Sequence, residues 1–125
     1  MTVPLLVVDG ANVVGSVPDG WWRDRPGAAI RLRDRLAGIT SAGLPDLPGP
    51  VEVVLVVEGK ARDIPQTPGV RVVRAPASGD DTIVDVAESA VAGDRRVVVV
   101  TADRELRRRV TALGAEVIGP GRIPR

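Results

Sequence analysis

The chain has no cysteine, no histidine, no tyrosine and no phenylalanine. Without cysteine there is no disulfide framework, no thiolate nucleophile and no cysteine-held zinc. Without histidine, Ser-His-Asp and Cys-His mechanisms fall away, together with the usual general base and His-ligated zinc. Carboxylate chemistry stays open: Mg2+ or Mn2+ held by Asp and Glu activates water and needs no histidine. Long apolar runs are also missing, and none approaches the ~20 residues that span a bilayer, so no membrane association is expected. The start, Met1 to Asp9, has neither a basic n-region nor a long h-region. No signal peptide is therefore expected, and the cytoplasm is the default compartment.

Charge of one sign is lacking too. Seventeen Lys and Arg stand against sixteen Asp and Glu, a formal net charge of +1. The field of the whole molecule is weak, so any nucleic-acid affinity must come from local patches. Lys60 is the sole lysine. Arg suits bidentate phosphate contacts, although a GC-biased genome produces the same excess of Arg.

What is present is aliphatic. Hydrophobic residues make up 44% of 125 residues, which supports one domain, 1–125, around one core. Five Val-rich runs read as strands: Leu5–Val8, Val51–Val57, Val70–Val73, Arg96–Val100 and Ala115–Ile118. They are near-continuous rather than alternating, the mark of a parallel sheet buried on both faces. Between them lie helical periods. Asp24 is a candidate N-cap with Pro26 just inside, followed by Ala29, Leu32, Leu36 and Ile39 on one face. A second helix begins near Asp80-Asp81 with Ile83, Val84, Ala87, Ala90 and Val91 buried. A third begins at Asp103 with Leu106, Val110 and Leu113, stopped by Gly114. Right-handed crossovers then predict an α/β doubly wound sheet of order 3-2-1-4-5, with its switch point between the first and fourth strands. The Gly/Pro-rich segments Thr40–Pro50 and Glu58–Gly69 read as loops, and residues 119–125 as a short basic extension.

Three strands end in aspartate: Asp9, Asp80-Asp81 after the third, and Asp103 after the fourth. Strand carboxyl ends gather along one edge of such a sheet. At about 4 Å and an effective dielectric near 20, each like-charged pair costs roughly 4 kcal/mol unless a cation neutralises it. The group reads as a divalent-metal nuclease site. Asp9 would be the central ligand, Gly10 would allow a sharp turn, and Asn12 would orient Asp9 or a phosphate. Thr101 would hydrogen-bond the carboxylates or a metal-bound water. Each acid has a plainer reading: turn residues favour Asp, Gly and Asn, and helix starts favour Asp. Asp85 and Glu88 read as a solvated face, as do Arg31, Arg33, Arg35 and Arg107-Arg108-Arg109. Trp21 and Trp22 are the only aromatics. A base stacked on one of them would gain ~1–3 kcal/mol, with Arg23 and Arg25 beside it for phosphates; a core edge or a dimer contact is the other reading. No G-x-x-x-x-G-K-[ST] or G-x-G-x-x-G motif occurs.

The stretches Asp9-Gly10-Ala11-Asn12-Val13-Val14, Gly79-Asp80-Asp81-Thr82-Ile83-Val84 and Val100-Thr101-Ala102-Asp103-Arg104-Glu105-Leu106 resemble, in order and spacing, the three signatures of NYN domains. These are PIN-like ribonucleases of the YacP and Regnase types. The resemblance implies a PIN-like, Rossmann-like three-layer fold and Mg2+- or Mn2+-dependent cleavage of single-stranded RNA. By motif, Asp9, Asp80, Asp81 and Asp103 would be the acidic catalytic cluster and Asn12 its polar partner. The expected metal set is Asp9, Asp81 and Asp103, with Asp80 tuning it. The chain is short for that family, and Glu58 stands after the second strand where some members have Asp. Three other functions stay open: a non-catalytic RNA- or nucleotide-binding domain, a toxin-like or interaction subunit that dimerises through Trp21-Trp22, and a small-molecule phosphohydrolase.

Overall fold

In the computed structural model, which describes residues 2–61 and 63–124, every residue of the first strand, β1 (Leu5–Asp9), is buried. Four more strands run parallel to it: β4 (Glu52–Val57), β5 (Val70–Arg74), β6 (Val97–Val100) and β7 (Glu116–Ile118). Their order, β5-β4-β1-β6-β7, is the 3-2-1-4-5 order expected from the sequence. The sheet twists between two helical layers, and the unbroken valine runs follow from that. Leu6, Val8, Val53, Leu55, Val98 and Val100 face one layer; Leu5, Val7, Val54, Val56, Val97 and Val99 face the other. Adjacent residues point to opposite faces of a strand, so a strand covered on both sides has no position left for a polar residue.

The first layer holds α1 (Gly10–Gly15) and α2 (Arg25–Leu36). The second holds α4 (Gly79–Ala92) and α5 (Arg104–Ala112). Asp24 caps α2, accepting from the Gly27 amide at 3.0 Å with Pro26 in the first turn. Asp103 caps α5, accepting from Leu106 N at 2.8 Å, and Gly114 beyond its end has φ +101°. Ser78, not an aspartate, caps α4. Among the described residues no helix is long and apolar enough to cross a membrane.

Three segments depart from expectation. Ile39 does not continue α2; it opens a separate turn, α3 (Ile39–Ala42). The Thr40–Pro50 segment is not simply a loop but contains a small hairpin, β2 (Gly43–Leu44) against β3 (Leu47–Pro48). Its leucines drive this, since Leu44 and Leu47 both join the core, and Gly43 sits at φ +71° with Leu47 O only 2.2 Å from where a Cβ would lie. The basic extension is anchored as well, because Ile123 is buried in the first core layer.

Candidate metal and nucleic-acid site

β1 ends at Asp9 between β4 and β6, at the switch point, where α1 starts with no intervening loop. Gly10 is needed there for a close approach rather than a turn, since a Cβ would stand 2.5 Å from Val56 O. Asp9 is 6% exposed. Its Oδ2 accepts from Thr101 Oγ1 at 2.9 Å and its Oδ1 from Asn12 N at 3.3 Å, so it also caps α1. Thr101 is fully buried and accepts from Asp103 N at 3.1 Å, which ties Asp9 to the start of α5. The side chain of Asn12 accepts from Ala102 N at 2.8 Å and fastens α1 to the same loop. It is the backbone of Asn12, not its amide group, that orients Asp9.

Burial pushes the Asp9 carboxyl above its usual range, the Thr101 and Asn12 hydrogen bonds pull it back, and repulsion from Asp80 and Glu58 raises it again. Asp80 is also raised, by burial first, then by Asp103 and Glu58 and last by Asp81, with Arg109 opposing. The acids that share one field are therefore Asp9, Glu58, Asp80 and Asp103, with Asp81 at its margin. Asp81 acts on Asp80 least of these acids: its side chain is 81% exposed and pairs with Arg109 at 2.9 Å. In the first turn of α4, Asp80 is turned toward the edge and its neighbour away from it. Glu58 directly follows β4 and accepts from the Gly79 amide, joining the second and third acidic segments. The signal for it was its position one residue past a valine run, the same position as Asp9.

All four donors are hard oxygens, the chemistry of Mg2+ or Mn2+ sites. Among the described residues no three such groups are close enough to enclose one ion. Mg2+ commonly takes only one or two carboxylates and fills its shell with water and substrate phosphate, so the donor set fits that mode rather than a closed cage. The helices α1, α4 and α5 all begin at this edge, and their N-terminal dipoles offset part of the acidic repulsion.

The tryptophans lie to one side, in a turn spanning Trp21–Arg23. Their rings meet edge to face at 6.0 Å. Arg25 sits 5.4 Å from the Trp21 centroid and Arg23 5.7 Å from that of Trp22. Trp22 is 55% exposed. Trp21 and Arg25 border a cleft that also takes in Gly10 and Glu58, whereas Trp22 and Arg23 do not line it. Of the arginines read as solvated faces, Arg33 is buried instead and donates to Pro65 O at 2.7 Å, pinning the segment after β4.

No family model matches the chain, and no curated protein does. Solved structures do. Rae1 (YacP) from Bacillus subtilis superposes with a TM-score of 0.76 at 18% identity, over 98% of this chain and 71% of that one. A point mutant of the same protein gives 0.73 at 18% identity, over 97% of this chain and 72% of that one. At this identity the likeness speaks for architecture, and the architecture is the one the three motifs implied: the chain has the fold of the YacP protein Rae1.

Proposed function

We propose that this protein is a metal-dependent endoribonuclease acting on single-stranded RNA. The observation that carries the reading is the gathering of Asp9, Glu58, Asp80 and Asp103 at the switch point, with two of the carboxyls raised by burial and by neighbouring acids. A buried acid crowded by other acids stores repulsion that a cation relieves. A bound Mg2+ or Mn2+ would supply a lowered pKa for water and charge neutralisation at phosphate. One or two of Asp9, Asp80 and Asp103 would hold it directly and the rest through water, with Asp81 outside, paired to Arg109. Thr101 fixes the Asp9 and Asp103 segments relative to each other, so these acids need little reorganisation when substrate arrives. In-line attack of water would leave a 5′-phosphate and a 3′-hydroxyl.

Incubating labelled single-stranded RNA with Mn2+ tests the reading. Cleavage by the native protein and its loss in Asp9→Asn are expected; activity that survives Asp9→Asn sinks the site. A second reading, an RNA- or nucleotide-binding domain without turnover, draws on the spacing of the acids, no three of which enclose an ion among the described residues. It predicts RNA binding without cleavage under any divalent metal.

A further inference from the structure

The cleft beside the acids has a volume of about 170 Å³ and lies between α1, the start of α2 and the Gly59–Ala61 turn after β4. It is well below the roughly 300–1,000 Å³ of clefts that take drug-sized ligands, and has room for one flat ring system. Trp21 and Arg25, whose guanidinium carbon lies 5.4 Å from the Trp21 centroid, line one side of it, with Ala11, Val14 and Ala61 among its apolar lining. Aromatic rings and guanidinium planes are the surfaces on which unpaired bases stack. Glu58 is the one carboxylate that lines it. One of its oxygens accepts from Gly79 N, and the other accepts nothing among the described residues.

An ionised carboxylate has about four acceptor sites and no donor. A base edge facing Glu58 must therefore present N–H groups. Guanine presents two side by side, N1–H and the N2 amine. Adenine and cytosine set a ring-nitrogen lone pair beside their amine, and uracil flanks its single N–H with two carbonyls. Each of those three brings an acceptor against the carboxylate.

We propose that this cleft is a guanine-binding subsite, in which the Trp21–Arg25 wall stacks the base and Glu58 reads its Watson–Crick edge. The inference rests on the proposed RNA function, since Gly10 and Glu58 belong both to the cleft and to the acidic edge. A guanosine seated there brings its own backbone to the acids, so cleavage falls beside guanosine.

Trp21 and Trp22 are the only aromatic residues, so tryptophan fluorescence reports on the wall directly. Neutral nucleosides serve as probes, because they need no metal and carry no phosphate for the acids to repel. Guanosine is expected to quench half-maximally at a concentration at least about tenfold below adenosine, cytidine and uridine, the discrimination expected of a bidentate contact. Glu58→Gln is expected to bring the four within about twofold. On the native protein 1-methylguanosine, which lacks N1–H, is expected to lose the advantage, so the edge contact is tested even if Glu58→Gln does not fold. Equal binding of the four nucleosides, absence of binding by all of them, or 1-methylguanosine binding as well as guanosine overturns the proposal. Guanosine preference with RNA left uncut upholds the subsite and sinks the nuclease; RNA cut without any nucleoside preference does the reverse.

Discussion

Asp9 is pulled two ways. Its oxygens accept from Thr101 and from the Asn12 amide, which holds it in place, while burial and the neighbouring acids disfavour its charge. Asp9 and Asp80 both bind a proton more readily in the folded chain than an ordinary aspartate near 3.8 does. Their contribution to stability is therefore present below about pH 3.8 and is lost as pH rises through the raised native values. At pH 7, Asp9→Asn removes an unfavourable buried charge and keeps an acceptor for Asn12 N. Its melting temperature is expected to equal or exceed that of the native chain by a few degrees, while RNA cleavage falls at least about 100-fold. Calorimetry beside a cleavage assay checks both, and a clear drop in melting temperature contradicts this account of Asp9. Thr101→Val should do the opposite. It leaves the Asp103 amide and Asp9 short of a partner in a buried place, at a cost of about 1–3 kcal/mol, measurable as a lower urea midpoint with an unchanged slope.

At the scale of elements, the sheet edge works because β1 passes into α1 without a loop. Gly10→Ala sets a Cβ against Val56 O, and since backbone yields less than a side chain, about 1–3 kcal/mol of destabilisation is expected. Chemical denaturation checks it, and near-native stability would show that α1 can shift away from β4. The caps separate structure from chemistry. Asn caps a helix as well as Asp does, so Asp103→Asn is expected to hold its melting temperature within a few degrees and to lose cleavage. Comparable loss of both would reduce Asp103 to a cap. The sequence made α5 and its cap legible because Asp103 precedes an apolar period with Gly114 behind it. It hid α1, whose six residues are too few for a helical period to declare itself. For that reason Asp9 reads from the sequence as a turn residue at a strand end, whereas it is in fact an N-cap.

For the whole molecule, the near-balanced charge sets the salt dependence of RNA binding. If Arg23 and Arg25 supply the phosphate contacts, two contacts on a single strand give a log–log slope of about −1.4. Binding titrations across salt concentrations measure it, and a slope several times steeper would mean that the helix arginines bind as well. A cation that binds only the folded acids must also stabilise the fold, by about 2.7 kcal/mol at a hundred times its dissociation constant. Mn2+ is thus expected to raise the melting temperature of the native chain, reversibly with chelator, and to leave that of Asp9→Asn unmoved. Equal shifts in both would place the ion elsewhere.

The sequence by itself determined the layers, the strand order and the sheet edge on which the acids gather. Valine runs without polar breaks admit only a sheet covered on both faces, and the handedness of crossovers then orders it. The caps at Asp24 and Asp103 were equally local, each written within a few residues. What only the tertiary structure decided was direction. Asp80 and Asp81 are adjacent and chemically alike, yet α4 turns one toward Glu58 and Asp103 and leaves the other to Arg109. Arg33 went inward and Arg31 did not, and Leu44, Leu47 and Ile123 found core from segments read as loop or tail. Sequence spacing fixes which residues lie near a site; the rotation of each helix on the sheet, set by packing across the chain, decides which of them face into it.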